Sequence, residues 1–487
     1  VEWTDEQTLV IQSNGNIKVN AIAGSGKTST LVEYARVRPN DRILYIVFNR
    51  SAKIDAENKF VKAGVTNVTV VTAHSLAYRN IVPSRGYKVV NGHSVYDIKN
   101  ILNLGGQGFY GFVIASHISK YLEAYLNSVY NNVDDADYGN SITTPESKEF
   151  YDKNADVIIE GVKEMLYRMQ NKKIDVTHNF YLKEFQMTNP TLEYDVILHD
   201  EMQDSNPVML DIFLKQKGVK VCCGDDNQAI YSWRGAKNAL NQVDFTEMSL
   251  TNSFRFNQDV ANIAMTCLDM KKLYDFGFTR RDIVGMGGNS KDNDTHAVLA
   301  RTNLELLNNA ITLLSDDEIQ SVHFEGNLSS YQFMSGISIY DVFNLYKGKM
   351  SYIRNPLIRQ MKSFSELEEY IKKTNDHELK LLLKIVTKFG SGLPGVFKRL
   401  KEVNLNDEQK YKADRIFTTV HRSKGLQYNT VTMMDDFITQ SRIIDSIDNE
   451  YSMSKEDMSS EINILYVAIT RVQNKLILSK SMGYLYD

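Results

Sequence analysis

A run of small residues ending in a lysine and a threonine, Ala21-Ile22-Ala23-Gly24-Ser25-Gly26-Lys27-Thr28, carries the first legible chemistry of this chain. It fits the phosphate-binding loop G-x-x-x-x-G-K-[ST], with Ala21 in place of the first glycine. Glycines let the backbone N–H groups of Ala23, Gly24, Ser25 and Gly26 close around phosphate oxygens, and the helix that follows adds the partial positive charge of its N-terminus. Lys27 is expected to reach the β- and γ-phosphates of a nucleoside triphosphate, and the Thr28 hydroxyl to bind Mg2+. Such a loop needs carboxylates at the end of a nearby strand. Tyr194-Asp195-Val196-Ile197-Leu198-His199-Asp200-Glu201 supplies them. Asp200 is expected to hold Mg2+, directly or through water, and Glu201 to polarise the attacking water. Alone, an Asp-Glu pair after an apolar run is an ordinary strand end; the phosphate loop upstream gives it this meaning.

These groups require a strand–loop–helix frame. Ile17–Ala21, Ile43–Val47 and Val68–Val71 are short β-branched runs, and Ser29–Ala35 is helix-like, which is the rhythm of a mostly parallel sheet. From about residue 80 to 185 the rhythm breaks. Gly105, Gly106, Gly108 and Gly111 cluster in what reads as a loop. Thr144-Pro145 reads as a helix start, and Val157, Ile158, Val162, Met165, Leu166 and Met169 form a long amphipathic pattern. Strand patterns return at Asp195–Leu198, Val219–Cys223, Met248–Leu250, Ala297–Ala300 and Val322–Phe324. A second, mainly helical and charged break spans about 327 to 412. Strands resume at Arg415–Thr418, Val431–Met434 and Leu476–Leu478. The reading is two α/β cores, each interrupted by a mostly helical insertion.

The 487 residues suffice for about three domains of ordinary size. With 43% apolar and 24% charged residues the composition is that of a globular chain, and no apolar run approaches the ~18 residues of a membrane span. The start lacks a secretory pattern. Cys222 and Cys223 fall in an apparent buried strand, and with Cys267 they show no zinc-ligand spacing, so an intracellular protein with reduced cysteines is expected: cytoplasmic if bacterial or phage-encoded, nuclear if eukaryotic. A net charge of −4 gives no global sign of nucleic acid, so any such site must be a local groove.

Further segments follow in order: Asp200-Glu201-Met202-Gln203-Asp204; Gly224-Asp225-Asp226-Asn227-Gln228-Ala229-Ile230-Tyr231-Ser232-Trp233-Arg234-Gly235-Ala236; Asn252-Ser253-Phe254-Arg255; Thr419-Val420-His421-Arg422-Ser423-Lys424-Gly425-Leu426; and Tyr466-Val467-Ala468-Ile469-Thr470-Arg471. Together they resemble the second to sixth motifs of the UvrD/Rep/PcrA family of superfamily 1 DNA helicases. Phe48-Asn49-Arg50 and Thr72-Ala73-His74-Ser75 fall where that family's early DNA-contacting segments lie. Thr177-His178 with Tyr181-Leu182-Lys183 resembles the F-box helicase subgroup and its bacterial relatives. No F-box-like segment precedes Val1, so no ubiquitin-ligase role is expected.

The resemblance implies an α/β fold of two RecA-like P-loop domains with parallel sheets. The first motor domain comprises 1–79 and 186–250, with insertion 80–185; the second comprises 251–326 and 413–487, with insertion 327–412. It implies ATP in the cleft, with Gln7 reading the adenine edge and Phe254 stacking on the base where the family often has Tyr. It places Gln228 at the γ-phosphate, with Arg255 and Arg471 reaching across from the second domain. Arginines supplied by a separate body are worth ~10³–10⁵ in rate in comparable systems. Trp233 matches the aromatic that stacks on a DNA base, a contact worth about 1–3 kcal/mol against ~1.4 kcal/mol for an average duplex step. Phe48, Asn49, His74, Arg234, Arg301, Asn303 and His421 are expected along the same track. The expected partners are single-stranded DNA and its junctions with duplex.

The sequence departs from the family at Ala73, where a stacking aromatic is common, and at Gln427, where an acidic residue usually makes a nucleotide-sugar or Mg2+-linked contact. The second insertion is shorter than in UvrD. Only 16 residues follow Arg471, so no fused nuclease is expected. Within the part that resembles the family's third motif, the segment from Gln228 to Ala236 resembles the 3′→5′ branch, so a 3′→5′ translocase and helicase is the leading expectation. An ATP-gated remodeller that strips proteins from single strands is the alternative, and a catalytically dead adaptor a third reading that Lys27, Glu201, Arg255 and Arg471 oppose. The pathway stays open among DNA repair, replication and recombination.

Overall fold

The computed structural model describes residues 2–231, 238–288, 294–334, 336–449 and 452–486. Six strands form the first sheet: β1 Ile17–Ala21, β2 Ile43–Val47, β3 Val68–Thr72, β4 Val196–His199, β5 Val219–Gly224 and β6 Thr246–Leu250. Their order is β3-β2-β4-β5-β1-β6, with every adjacent pair parallel. β2 and β4 are buried along their whole length, as strands covered on both faces must be. The period of two sorts them: Leu44 and Ile46 join one apolar cluster, while Ile43, Tyr45 and Val47 join the other. The carboxyl ends of β4, β5 and β1 are therefore neighbours at one edge of the sheet, where open α/β sheets bind their ligands.

Between β3 and β4 the chain is mainly helical, with the long helices Gly108–Leu126 and Pro145–Gln170. Ile114, Ile118, Val162 and Met165 share a buried cluster with Leu44, Ile46 and Ile197, so this stretch covers one face of the sheet. The glycines read as a loop are a correction: Gly108 and Gly111 belong to the first turn of helix Gly108–Leu126, after a 3-10 turn at Leu104–Gln107. A Cβ on Gly111 would lie 2.4 Å from the Leu104 carbonyl oxygen. Glycine there admits the close approach of turn and helix rather than breaking the helix. Pro145 does open its helix, but the Thr144 side chain makes no capping bond.

The second sheet contains β7 His296–Ala300, β8 Val322–Phe324, β9 Arg415–Thr419, β10 Tyr428–Met433 and β11 Val472–Ile477. Its order is β8-β9-β7-β10-β11, again all parallel. The chain between β8 and β9 is mostly helical and packs Tyr370, Leu382 and Phe397 into one cluster with Phe112 and Val113 of the first insertion. His117 Nε2 bonds the Lys373 carbonyl at 3.1 Å, and Lys120 Nζ the Asn375 carbonyl at 3.2 Å, so the two insertions touch. No helix among the described residues is long and apolar enough to cross a membrane.

Candidate nucleotide site between the two sheets

β1 ends at Ala21, and the loop that follows turns through Gly24 (φ 78°) and Gly26 (φ 79°) into helix Lys27–Arg36. Gly26 caps that helix without any side-chain bond, so the first-turn N–H groups stay available to a ligand. Burial would drive the proton off Lys27, but the carboxylates of Glu201, Asp225 and Asp200 outweigh it and raise its pKa. Lys27 Nζ lies 3.9 Å from Glu201 Oε1 and 3.4 Å from the Ala21 carbonyl. Gln7 is tied to the same loop: its Oε1 accepts the Thr4 N–H, and its Nε2 donates to the Ser25 carbonyl at 3.2 Å.

β4 delivers Asp200 and Glu201 beside Lys27. Asp200 Oδ2 accepts from the Thr28 hydroxyl at 3.3 Å and from the Tyr45 hydroxyl at 2.7 Å. Glu201 has φ 54°, a left-handed conformation that costs a non-glycine residue about 1–2 kcal/mol. Strain of this kind persists where the surroundings over-determine it, commonly at functional sites. Burial works against ionising either carboxyl. Glu201 is nonetheless held well below the usual carboxylate range, by Lys27, Lys424, the Gln203 amide and Arg471, while burial and the Glu201 charge push Asp200 upward. Glu201 is thus the ionised acceptor of the pair.

Among the described residues no group of three or more His, Cys, Asp or Glu is placed to hold a metal. The Thr28 hydroxyl and the Asp200 carboxylate converge, and together they fit a hard divalent cation that draws its remaining oxygen ligands from phosphate and water.

The second sheet's side of the cleft lies directly on the phosphate loop. The Phe254 N–H donates to the Gly24 carbonyl at 2.9 Å, and Glu6 binds the Thr251 N–H and hydroxyl at 2.7 Å each. Arg471 is 1% exposed; its guanidinium reaches the Val467 carbonyl at 3.0 Å, the Leu426 carbonyl at 3.3 Å and Gln228 Oε1 at 3.4 Å. Gln228 in turn donates to Asp225 Oδ2 at 2.8 Å. Arg255 donates to the Thr470 carbonyl at 2.8 Å and to Gln427 Oε1 at 3.2 Å. Burial and the neighbouring Arg471 lower its pKa. The Phe254 ring is half exposed at the mouth. The structure therefore brings Lys27, Glu201, Gln228, Arg255 and Arg471 to one pocket.

Sequence reasoning singled out neither Lys424 nor Tyr231, although both lie inside the quoted segments. Lys424 Nζ crosses the cleft to Asp204 at 2.6 Å and to the Gln228 carbonyl at 2.6 Å. Burial outweighs that partner and raises Asp204 to about 6. The Tyr231 ring stacks on Phe48 at 5.5 Å and meets the His421 ring at 6.0 Å, with Lys424 Nζ 5.0 Å from its centre. Asp225, which also accepts from the Tyr466 hydroxyl at 3.1 Å, was likewise missed as the hub beneath Gln228.

The other expected track residues lie in and around the Phe48–Tyr231 stack and at the border with the first insertion. His421 Nε2 bonds the Ile230 carbonyl at 3.2 Å, and burial together with Arg301 lowers its pKa to about 4, so it is neutral. Arg301 grips Glu461 with two nitrogens. Asn303 opens helix Asn303–Ser315, which Thr302 caps. Asn49 is the N-cap of helix Arg50–Lys62, accepting from the Ala52 N–H at 2.8 Å. His74 bonds Asn179 at 3.1 Å, at the border with the first insertion. Trp233 and Arg234 lie outside the described residues.

The fit of the two sides gives a direct test. A Cβ on Gly24 would stand 2.7 Å from both Arg255 Cβ and Ser253 Oγ, in a backbone conformation that side chains disfavour. Gly24→Ala is therefore expected to hold the lobes apart and lower the turnover of bound nucleoside triphosphate about tenfold or more. Steady-state phosphate release checks this; unchanged turnover contradicts the tight lobe contact.

Residues 3–245 match the model of the UvrD/REP helicase N-terminal domain, and residues 347–483 that of the UvrD-like helicase C-terminal domain. The chain is 30% identical to F-box DNA helicase 1 of Gallus gallus, over 100% of this chain and 50% of that protein. It is 29% identical to F-box DNA helicase protein 1 of Schizosaccharomyces pombe, over 99% of this chain and 58% of that protein. With Gabija protein GajB of Bacillus cereus it shares 26% identity over 52% of this chain and 46% of the other. The chain thus spans about half the length of the first two relatives.

Proposed function

Because this chain belongs to the UvrD-like family of superfamily 1 DNA helicases, we propose that it hydrolyses ATP between its two sheets and uses the closure to move along single-stranded DNA in the 3′→5′ direction, unwinding duplex ahead of it. The observation that carries this reading is the meeting of Arg471, Gln228 and Glu201 beside Lys27, with groups from both sheets in one cluster. The phosphate loop, through Ala23, Gly24, Ser25, Gly26 and Lys27, binds the triphosphate. Thr28 and Asp200 hold the Mg2+ that arrives with it and neutralises phosphate charge. Gln7 and Phe254 border the base. Glu201, ionised at neutral pH, accepts the proton of the attacking water. Arg255 and Arg471 stabilise charge on the transferring phosphoryl group only while the cleft is shut, which couples hydrolysis to lobe movement.

The strand path we infer runs over Phe48, Tyr231 and His421, whose rings lie together, with His74, Asn49, Arg301 and Asn303 as flanking contacts. Trp233 and Arg234, outside the described residues, belong to it by the resemblance of their segment. Direction rests on the segment from Gln228 to Ala236, which resembles the 3′→5′ branch. Duplexes carrying a single-stranded tail on one strand test it. With ATP and Mg2+, strand separation is expected from the 3′-tailed substrate and not from the 5′-tailed one, and Lys27→Ala is expected to separate neither. Unwinding from the 5′ tail alone would overturn the direction; activity in Lys27→Ala would overturn the site.

A further inference from the structure

Lys271 belongs to the turn Met270–Leu273, which follows helix Gln258–Asp269 on the second sheet's side of the cleft. Its side chain is buried and forms no ion pair among the described residues. Nζ donates instead to two amide oxygens, Asn227 Oδ1 at 2.9 Å and Asn463 Oδ1 at 2.8 Å, and lies 5.4 Å from the centre of the Phe278 ring. Burial lowers its pKa to about 8, against the pull of Cys267, Asp225 and Asp226. An amine held in this way costs free energy that an apolar side chain of similar length would not, so the two bonds call for a reason.

The two acceptors supply one. Asn227 immediately precedes Gln228 on the first lobe. Asn463 lies on helix Lys455–Ile469, which leads into Arg471, and its Nδ2 donates to the Ala229 carbonyl at 3.1 Å. Lys424 takes the Gln228 carbonyl and His421 the Ile230 carbonyl. Four consecutive residues, Asn227 to Ile230, are thus each bonded by a side chain of the second lobe. Lys271 and Asn463 lie outside the motif segments, and Lys271 ties Asn227 of the first lobe to Asn463 of the second.

We propose that Lys271 is a positioning residue for ATP hydrolysis: by joining Asn227 to Asn463 it sets the Gln228 amide against the Arg471 guanidinium when the lobes close. The inference rests on the ATPase reading above. It concerns the chemical step and not nucleotide or DNA binding, because among the described residues the hydrogen bonds of Lys271 go to Asn227 and Asn463 and not to the phosphate loop or the Phe48–Tyr231 stack.

The test is steady-state hydrolysis by the full chain with a saturating single-stranded oligonucleotide. Lys271→Met is expected to lower kcat about tenfold while the KM for ATP, the oligonucleotide Kd and the melting temperature stay near wild type. Asn227→Ala is expected to give the same split, and it carries the test if Lys271→Met does not fold. The double variant is expected to be no slower than the slower single one, since both break one linkage. A wild-type kcat in Lys271→Met, a loss expressed in KM or melting temperature instead of kcat, or multiplying losses in the double variant would each overturn the inference. Silence of the wild-type chain in the same assay would overturn the ATPase reading itself, a result distinct from any of these.

Discussion

Replacing Arg471 by alanine is expected to slow single-strand-stimulated phosphate release by about 10³–10⁵-fold, the range measured when a transition-state arginine is withheld from a related phosphate loop. Arg471 is almost wholly buried, and its guanidinium bridges the backbone of its own lobe to the Gln228 side chain of the other. Burial lowers its pKa, with Glu201 pulling the other way, yet a guanidinium keeps its proton in any accessible range. The alanine variant removes a planar fork that no solvent group can replace. Arg471→Lys keeps a charge but not the fork, so only a small part of the rate is expected to return. Single-turnover phosphate release from prebound ATP measures the step. Because Arg471 also bonds the Val467 and Leu426 carbonyls, binding of a fluorescent nucleotide must be followed in parallel. Retained binding with lost hydrolysis is the expected pair, and a rate within tenfold of wild type contradicts the role.

Glu201→Gln is expected to lower hydrolysis by about 10²–10⁴-fold, the usual worth of a positioned general base, and to leave nucleotide binding intact or tighter. The substitution is nearly isosteric. It removes the negative charge nearest Lys27, which at neutral pH repels incoming phosphate, and it removes the only proton acceptor of the Asp200–Glu201 pair that is held ionised against burial. A variant that binds Mg-ATP and does not turn it over would collect in the closed state. Hydrolysis within threefold of wild type would move the base elsewhere.

Much of this frame is legible in the sequence. Runs such as Ile43–Val47 are apolar throughout because both faces of a parallel strand are covered, and a covered strand leaves a local mark. The phosphate loop and the Asp200-Glu201 strand end are also local, since each is fixed by a few contiguous residues. What stayed hidden is long-range. Tyr231 was one residue of a quoted segment, and only the fold shows it between Phe48 and His421. The bond from Lys271 to Asn227 spans 44 residues and that to Asn463 spans 192, with no periodicity to announce either. Gly111 misled for a related reason: glycine marks either a turn or a close approach, and only the carbonyl of Leu104 decides between them, whereas Gly108 turns the chain at φ 55°. Asn49, expected on the DNA track, also caps a helix, a local role that only the structure shows.

The central claim is that lobe closure over the nucleotide and passage of a strand are one event. The most direct measurement is the rate of phosphate release from ATP by the wild-type chain with and without a single-stranded oligonucleotide, repeated with Glu201→Gln. The account predicts stimulation of about tenfold or more by the oligonucleotide, abolished in the variant. Equal rates with and without DNA, or stimulation that survives the loss of the Glu201 carboxylate, would contradict it.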